Sequence, residues 1–221
     1  MNNTKKKSPI SWVPTAYFAM GLPFVVLNMV TVLMFKGLEV DDKLITFWTS
    51  LILLPWTLKP LWSPFLELFR TKKFFVIVTQ LITGITFGLV AFALNLSHFF
   101  SISIALLAIV AFSGATHDIA CDGVYMSELS NEDQARFIGW QGAFYNIAKI
   151  LATGGLVYLA GYFIELNADA GLLTANKRAW MIILLILSVT MILLGIYHLF
   201  ALPSTPVSYT HLRAHETDQY L

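Results

Sequence analysis

Six blocks of apolar residues, at approximately 12–36, 44–68, 74–96, 99–122, 138–165 and 178–202, take up nearly the whole chain, and each is close to the ~20 residues a helix needs to cross a bilayer core of ~30 Å. That repetition leaves few folds open. Of 221 residues, 57% are hydrophobic and 12% charged, a balance a soluble domain built around a single core would hardly reach. The alternation of apolar and polar positions over ~10 residues that marks a membrane β-barrel is missing, so backbone groups must find their partners inside helices. The expectation is an all-α membrane protein with six transmembrane helices, preceded by a tail over 1–11 and followed by another over 203–221.

Orientation follows from the basic residues. Lys5, Lys6 and Lys7 precede the first span, Arg70, Lys72 and Lys73 lie between the second and third, and Arg136 follows the fourth. The other side carries Lys36, Lys43, Lys177 and Arg178. The bias is strongest at the first helix and predicts a cytoplasmic N-terminus, to which six spans return the chain. The first apolar run is too long for the core of a signal peptide and lacks a small-x-small cleavage site, so it reads as a retained helix. A net charge of +1 gives no reason to expect nucleic acid, and the single cysteine, Cys121, excludes an internal disulfide.

The polar residues inside the spans carry the functional reading. A charge at the bilayer centre costs about 2.5–3.5 kcal/mol on insertion scales, so each one needs a partner, a watery cavity or a neutralising proton. In "SGATHDIACDG", Asp118 and Asp122 are one turn apart on a shared face of the fourth helix, with Gly114 one turn earlier opening that face to a neighbouring backbone. Both carboxylates lie near the expected end of the helix, where the helix dipole disfavours anions. The second helix offers Lys59 and the fifth offers Lys149, and the four residues can form one cluster. It is either a static lock between helices or a gate or proton-coupling site. His117 lies about 100° round the helix from Asp118 and is either a relay or a hydrogen-bond partner of another helix. Asn28, Gln141 and Asn146 are candidate contacts to a polar solute, or interhelical hydrogen-bond formers. Pro14, Pro23, Pro55, Pro60 and Pro64 concentrate kinks in the first two helices.

Familiar catalytic patterns are missing. There is no His-Glu-x-x-His, Walker loop or Gly-x-Ser-x-Gly, so neither a metal, a nucleotide nor another cofactor is expected, and the chain does not read as an enzyme. Cys121 is i, i+4 from His117, a spacing common by coincidence. Asp118 and Asp122 share one helix, whereas an aspartyl dyad needs two carboxylates facing each other.

Three motifs carry a resemblance. "LPWTLKPLWSPFLELFRTKKFF" resembles the helix two to three region of the peptide and acetyl-coenzyme A transporter family of the major facilitator superfamily, where the pattern is Leu-Pro-Tyr-x-Leu-Lys-x-Leu-Trp-x-Pro followed by an acidic residue and a basic loop. "ATHDIACDG" is similar to its helix-four Ala-Thr-Gln-Asp-Ile-Ala-x-Asp, and "MGLPF" to its helix-one Ser-Gly-Leu-Pro. The match is closest to the bacterial muropeptide permeases of the AmpG type. Lys59, Asp118 and Asp122 stand at the family's charged positions, Glu67 at its acidic loop position, and Arg70, Lys72 and Lys73 at its basic cluster. Glu132 and Arg136 fall in the loop expected after helix four. His117 replaces the usual Gln, the loop motif lacks its Gly, and Leu68 takes a usually basic position.

The resemblance implies the N-terminal half of a twelve-helix permease in the bacterial inner membrane. It would be driven by protons and import muropeptide or a related cell-wall fragment, with a second six-helix half completing the cavity. Acetyl-coenzyme A or another amphipathic solute is the alternative within transport, and a six-helix scaffold or sensor the alternative outside it. The last stretch, "PSTPVSYTHLRAHETDQYL", has no apolar span and reads as a disordered tail. From about Val207 it resembles translated sequencing-adapter read-through, which would make the chain a fragment. His211 and His215, spaced as metal ligands can be, then carry no functional weight.

Overall fold

The computed structural model of the chain describes residues 7–69 and 71–203. The Glu67 side chain, Arg70 and the stretch from 204 onward, on which part of the loop motif and the tail expectation rest, lie outside the described residues. Six helices long and apolar enough to cross a membrane follow one another: α1 (Pro9–Gly37), α2 (Asp42–Leu61), α3 (Lys72–Ala93), α4 (Phe99–Glu128), α5 (Asn131–Leu166) and α6 (Leu172–Ala201). No strand occurs among the described residues. The all-α membrane fold expected from the apolar blocks is the one observed.

The helix ends differ from the apolar blocks in instructive ways. α2 stops at Leu61 rather than near 68 because Pro60 has no N–H to donate, and the chain tightens into a 3-10 turn over Lys59–Leu61. A separate short helix, Ser63–Phe69, then takes Pro64 in its first turn, where the missing donor costs nothing. α4 runs on to Glu128 instead of ending near 122, and α5 begins at Asn131 instead of 138. Ser130 starts α5 by accepting the Asp133 N–H at 3.2 Å while its hydroxyl donates to the Asp133 carboxylate at 3.0 Å. Glu132 and Arg136 therefore lie on the opening turns of a helix rather than in a loop. Asp41 and Thr71 cap α2 and α3 in the same manner. Ahead of α6, Gly171 adopts φ +83°, a conformation glycine takes without a side-chain clash.

Lipid tails are as apolar as leucine, so packing in the bundle depends on how closely helices approach rather than on expelling water. α3 packs between α4 and α6, and α1 packs against α5 and α4. Gly84 and Gly88, one turn apart on α3, let the Ser188 stretch of α6 come into contact, and a Cβ at Gly84 would lie 2.9 Å from the Ser188 carbonyl oxygen. One apolar cluster joins Leu27 and Phe35 of α1 to Phe87, Leu107, Ile183 and Leu187. A second, nearer the N-terminal end of the bundle, gathers Trp12, Tyr17, Val76, Cys121, Tyr125 and Leu202. Ile85, Phe92, Phe112, Ile150, Leu193 and Phe200 face outward, as residues against hydrocarbon do.

Two helices change pitch within the bundle. α1 passes through a π turn over Val26–Val30, just after Pro23, and the Thr31 hydroxyl donates to the Val26 carbonyl at 3.0 Å. α5 does the same over Leu151–Leu156, which contains Gly154 and Gly155, and the two π turns pack against each other. The wide turn of α1 leaves Asn28 exposed.

Candidate functional site

Asp118 is buried on the side of α4 that meets α2, and one oxygen of its carboxylate takes two donors. Lys59 Nζ reaches Oδ2 at 2.7 Å and Trp56 Nε1 reaches the same atom at 2.9 Å. The 3-10 turn that follows Leu58 sets Lys59 on this side, and the small Gly114 makes room for the indole. A Cβ at Gly114 would stand 2.9 Å from Trp56 Cζ2. What approaches at Gly114 is therefore an aromatic ring of α2, where the sequence had pointed to a backbone. Phe24 of α1 closes the other side of that ring edge-on, with centroids 5.2 Å apart. Asp118 Oδ1 is buried without a hydrogen-bond partner among the described residues. The pair is thus held from one side only.

Asp122 turns to a different neighbour. Tyr17 of α1 donates its hydroxyl to Asp122 Oδ1 at 2.8 Å, and the carboxylate opens on a groove of about 610 Å³ between α1, α4 and α5. Both carboxylates are far from the end of α4, which continues to Glu128. The helix dipole acts within about one turn of the terminus, so the penalty expected from it does not apply. The two acids share a face, yet each is bonded to a different helix.

Lys149 does not join the cluster. Ala148 and Tyr145 are the α5 residues that meet α1 at Gly21, so Lys149, about 100° further round, is turned out of that contact and is exposed. Asp118 has one lysine partner among the described residues, and it is Lys59. Gln141 lines the Asp122 groove, whereas Asn146 is exposed and donates to the Gly142 carbonyl of its own helix at 2.7 Å. Of the basic loop residues, Lys73 Nζ donates to the Leu202 carbonyl at 2.9 Å, tying the start of α3 to the end of α6. Lys72 lays its alkyl chain on α4 at Gly123, and Arg136 sits over the Phe137 ring at 5.8 Å.

His117 meets a neighbouring helix. Its Nε2 is 2.9 Å from Gln80 Nε2, Gln80 Oε1 is 2.9 Å from His198 Nδ1, and His198 Nε2 is 2.9 Å from Thr15 Oγ1. This chain of side chains ties together α4, α3, α6 and α1, and Gln80, His117 and His198 are all buried. The amide decides the tautomers, because it presents a donor at one end and an acceptor at the other. With the amide nitrogen towards His117, that ring accepts at Nε2 and carries its proton on Nδ1, a buried atom with no hydrogen-bond partner among the described residues, while His198 donates from Nδ1. Neutral His198 then presents Nε2 as an acceptor to Thr15 at 2.9 Å, whose single hydroxyl proton is shared between that nitrogen and the Trp12 carbonyl at 3.2 Å. Side-chain ¹⁵N spectra of the chain in lipid should therefore show two neutral histidines, each protonated at Nδ1. An Nε2–H signal at His117 would contradict this arrangement.

Gln80, His198, Tyr17, Thr15 and Trp56 were not picked out from the sequence. Gln80 and His198 carried a usable signal, since each is a polar residue inside an apolar span and meets the criterion that selected Lys59. Tyr17 and Trp56 gave none, because aromatic residues in a membrane helix look the same whether they face lipid or a carboxylate. Among the described residues, no three His, Cys, Asp or Glu side chains converge in the way a metal ion requires.

Six apolar helices enclosing a polar interior make this a multi-pass α-helical membrane protein. No protein-family model matches the chain, and no curated protein matches it either.

Proposed function

We propose that the chain forms one six-helix half of a proton-coupled secondary transporter of the major facilitator type. On this reading it lies in a bacterial inner membrane with the N-terminal side in the cytoplasm, and imports muropeptide or a related cell-wall fragment. The observation that carries the reading is the Lys59–Asp118 pair, set between two helices inside an apolar bundle and held from one side only. A proton delivered to Asp118 removes the anion that retains Lys59 and frees α2, with its broken end, to move relative to α4. Ionised again, the carboxylate draws the lysine back. This is a two-position element of the kind alternating access needs, and the adjoining π turns of α1 and α5 supply wall segments that depart from regular helix.

The three motifs shared with the peptide and acetyl-coenzyme A transporters support the same reading, as does the excess of lysine and arginine on the N-terminal side. A second six-helix half would cover the groove at Asp122 and Gln141, with protons and a small polar solute as cargo. Uptake of labelled anhydromuropeptide by cells carrying the complete transporter tests the proposal. Uptake should stop on adding a protonophore and should fall by at least about tenfold in Asp118→Asn, because a neutral amide cannot exchange a proton with lysine as its counter-ion. Uptake indifferent to the protonophore sinks the coupling, and competition by coenzyme A esters moves the cargo to acyl carriers.

A further inference from the structure

The groove at Asp122 has a chemical bias of its own. Its donors are largely spent on the protein: Tyr17 OH donates to Asp122, Tyr125 OH donates to the Gln134 carbonyl at 2.6 Å, and the Gln134 amide nitrogen donates to the carbonyls of Met126 at 3.2 Å and Leu129 at 3.0 Å. The charged atom left in the groove is an acceptor, while the side-chain amides of Asn131 and Gln141 in its lining can donate or accept. Asp122 accepts from Tyr17 at Oδ1 only, which leaves Oδ2 without a hydrogen bond among the described residues, and Asn131, Gln134 and Gln141 add amides to the lining. None of the residues lining the groove is cationic. The nearest charge on α2, Lys59, is taken by Asp118, and Arg136 lies over the Phe137 ring.

We infer that this groove is a subsite for a primary ammonium group on the transported solute, with the Asp122 carboxylate as its counter-ion and the amides of the lining available to accept its remaining N–H groups. A primary ammonium carries a positive charge and three N–H donors, which matches a groove lined by one carboxylate, several amides and no cation. A quaternary ammonium does not fit. It needs aromatic faces, and the Tyr17 and Tyr125 rings are only 4% and 5% exposed and are packed edge-on against each other at 5.8 Å. An anionic group would meet the carboxylate without a cation. The volume of about 610 Å³ accommodates a solute of dipeptide size around the amine. The inference relies on the transporter reading only for what the subsite serves, since binding can be read on this chain alone.

The test uses the chain in lipid nanodiscs and three probes followed by saturation-transfer NMR: alaninamide, its N-acetyl derivative and its N,N,N-trimethyl derivative. Alaninamide should bind roughly tenfold more tightly than either derivative, and Asp122→Asn should remove that advantage while still accepting the Tyr17 hydroxyl. Glu132→Gln, an acid near the groove but not part of its lining, should leave affinity within about twofold. Equal binding of the trimethyl probe overturns the choice of a primary amine. Unchanged binding in Asp122→Asn, or an equal loss in Glu132→Gln, overturns the subsite. Protonophore-insensitive uptake with intact alaninamide binding would remove the transporter reading and leave the subsite in place. Loss of the Asp122 effect alone would do the reverse.

Discussion

Asp118→Leu is expected to cost about 3 kcal/mol of stability, and Lys59→Met combined with Asp118→Leu to recover most of it, to within about 1 kcal/mol of the unaltered protein. The asymmetry comes from desolvation. Lys59 sits in the bundle with 27% of its side chain exposed, and it is there because a carboxylate with 10% exposure lies 2.7 Å away. Removing only the acid leaves an ammonium in an apolar surrounding without its hydrogen-bonded counter-ion, and leaves the Trp56 N–H without its acceptor. Removing both charges and keeping the volume eliminates the unpaired ion, so the double variant is the milder one. Lys59 is partly exposed and can turn towards water, which keeps the expected loss at the lower end of the range for broken buried pairs. Reversible unfolding in mixed micelles, followed by far-UV circular dichroism, measures both values. A single variant losing under about 1 kcal/mol would show that the pair does not hold α2 on α4. A double variant as damaged as the single would mean that the shape of the side chains matters rather than their charge.

The same pair of variants separates lock from switch. A static lock predicts that the double variant is both stable and active, because neutral packing replaces the ion pair. A coupling element predicts a stable protein that no longer responds to a proton gradient, because no carboxylate remains to be protonated and no lysine to be released. Stability and transport then part company at one site, which neither measurement would show alone.

Much of this arrangement can be read from the residues, and what cannot has identifiable causes. Membrane spans announce themselves by length and polarity, so the six-helix architecture follows directly from the apolar blocks. Helix ends are less visible because α4 and α5 outrun their apolar stretches. The residues from Gly123 to Glu128 are helical although the lipid does not require it, and the start of α5 is set by Ser130 and Asp133. That error had a chemical consequence, since it placed Asp122 next to a helix terminus that lies well beyond it. Lys59 and Asp118 were identifiable as partners because each is costly without one. Lys149 met the same criterion and failed, because rotation about α5 is decided by Gly21, Tyr145 and Ala148, and no count of charges contains that rotation. The Thr15–His198–Gln80–His117 chain shows the opposite case. Its members are scattered over 183 positions of sequence, and only the packing of four helices brings them into line.

The close approach of α3 and α6 depends on Gly84, and Gly84→Leu is expected to lower stability by about 3 kcal/mol. A Cβ there would come within 2.7 Å of Ile192 Cγ1, 2.9 Å of the Ser188 carbonyl oxygen and 3.0 Å of the Ile192 backbone nitrogen. Two of the three atoms belong to the α6 backbone and cannot rotate away, so α3 and α6 must separate. Lipid offers no hydrophobic gain to offset the lost contact, because hydrocarbon fills the gap as readily as leucine does. Separation would also lengthen the Gln80–His198 contact one turn away, stranding two buried rings that have no water to turn to. Gly161→Ala supplies the comparison. Its Cβ meets nothing within 4 Å, so the substitution should be neutral or stabilising by up to about 1 kcal/mol through better helix propensity. If both variants unfold at the same denaturant concentration, α3 and α6 are not held by close approach at Gly84. If Gly84→Leu is destabilised and the His198 ¹⁵N signals move with it, the small-residue contact and the buried hydrogen-bond chain form a single cooperative unit.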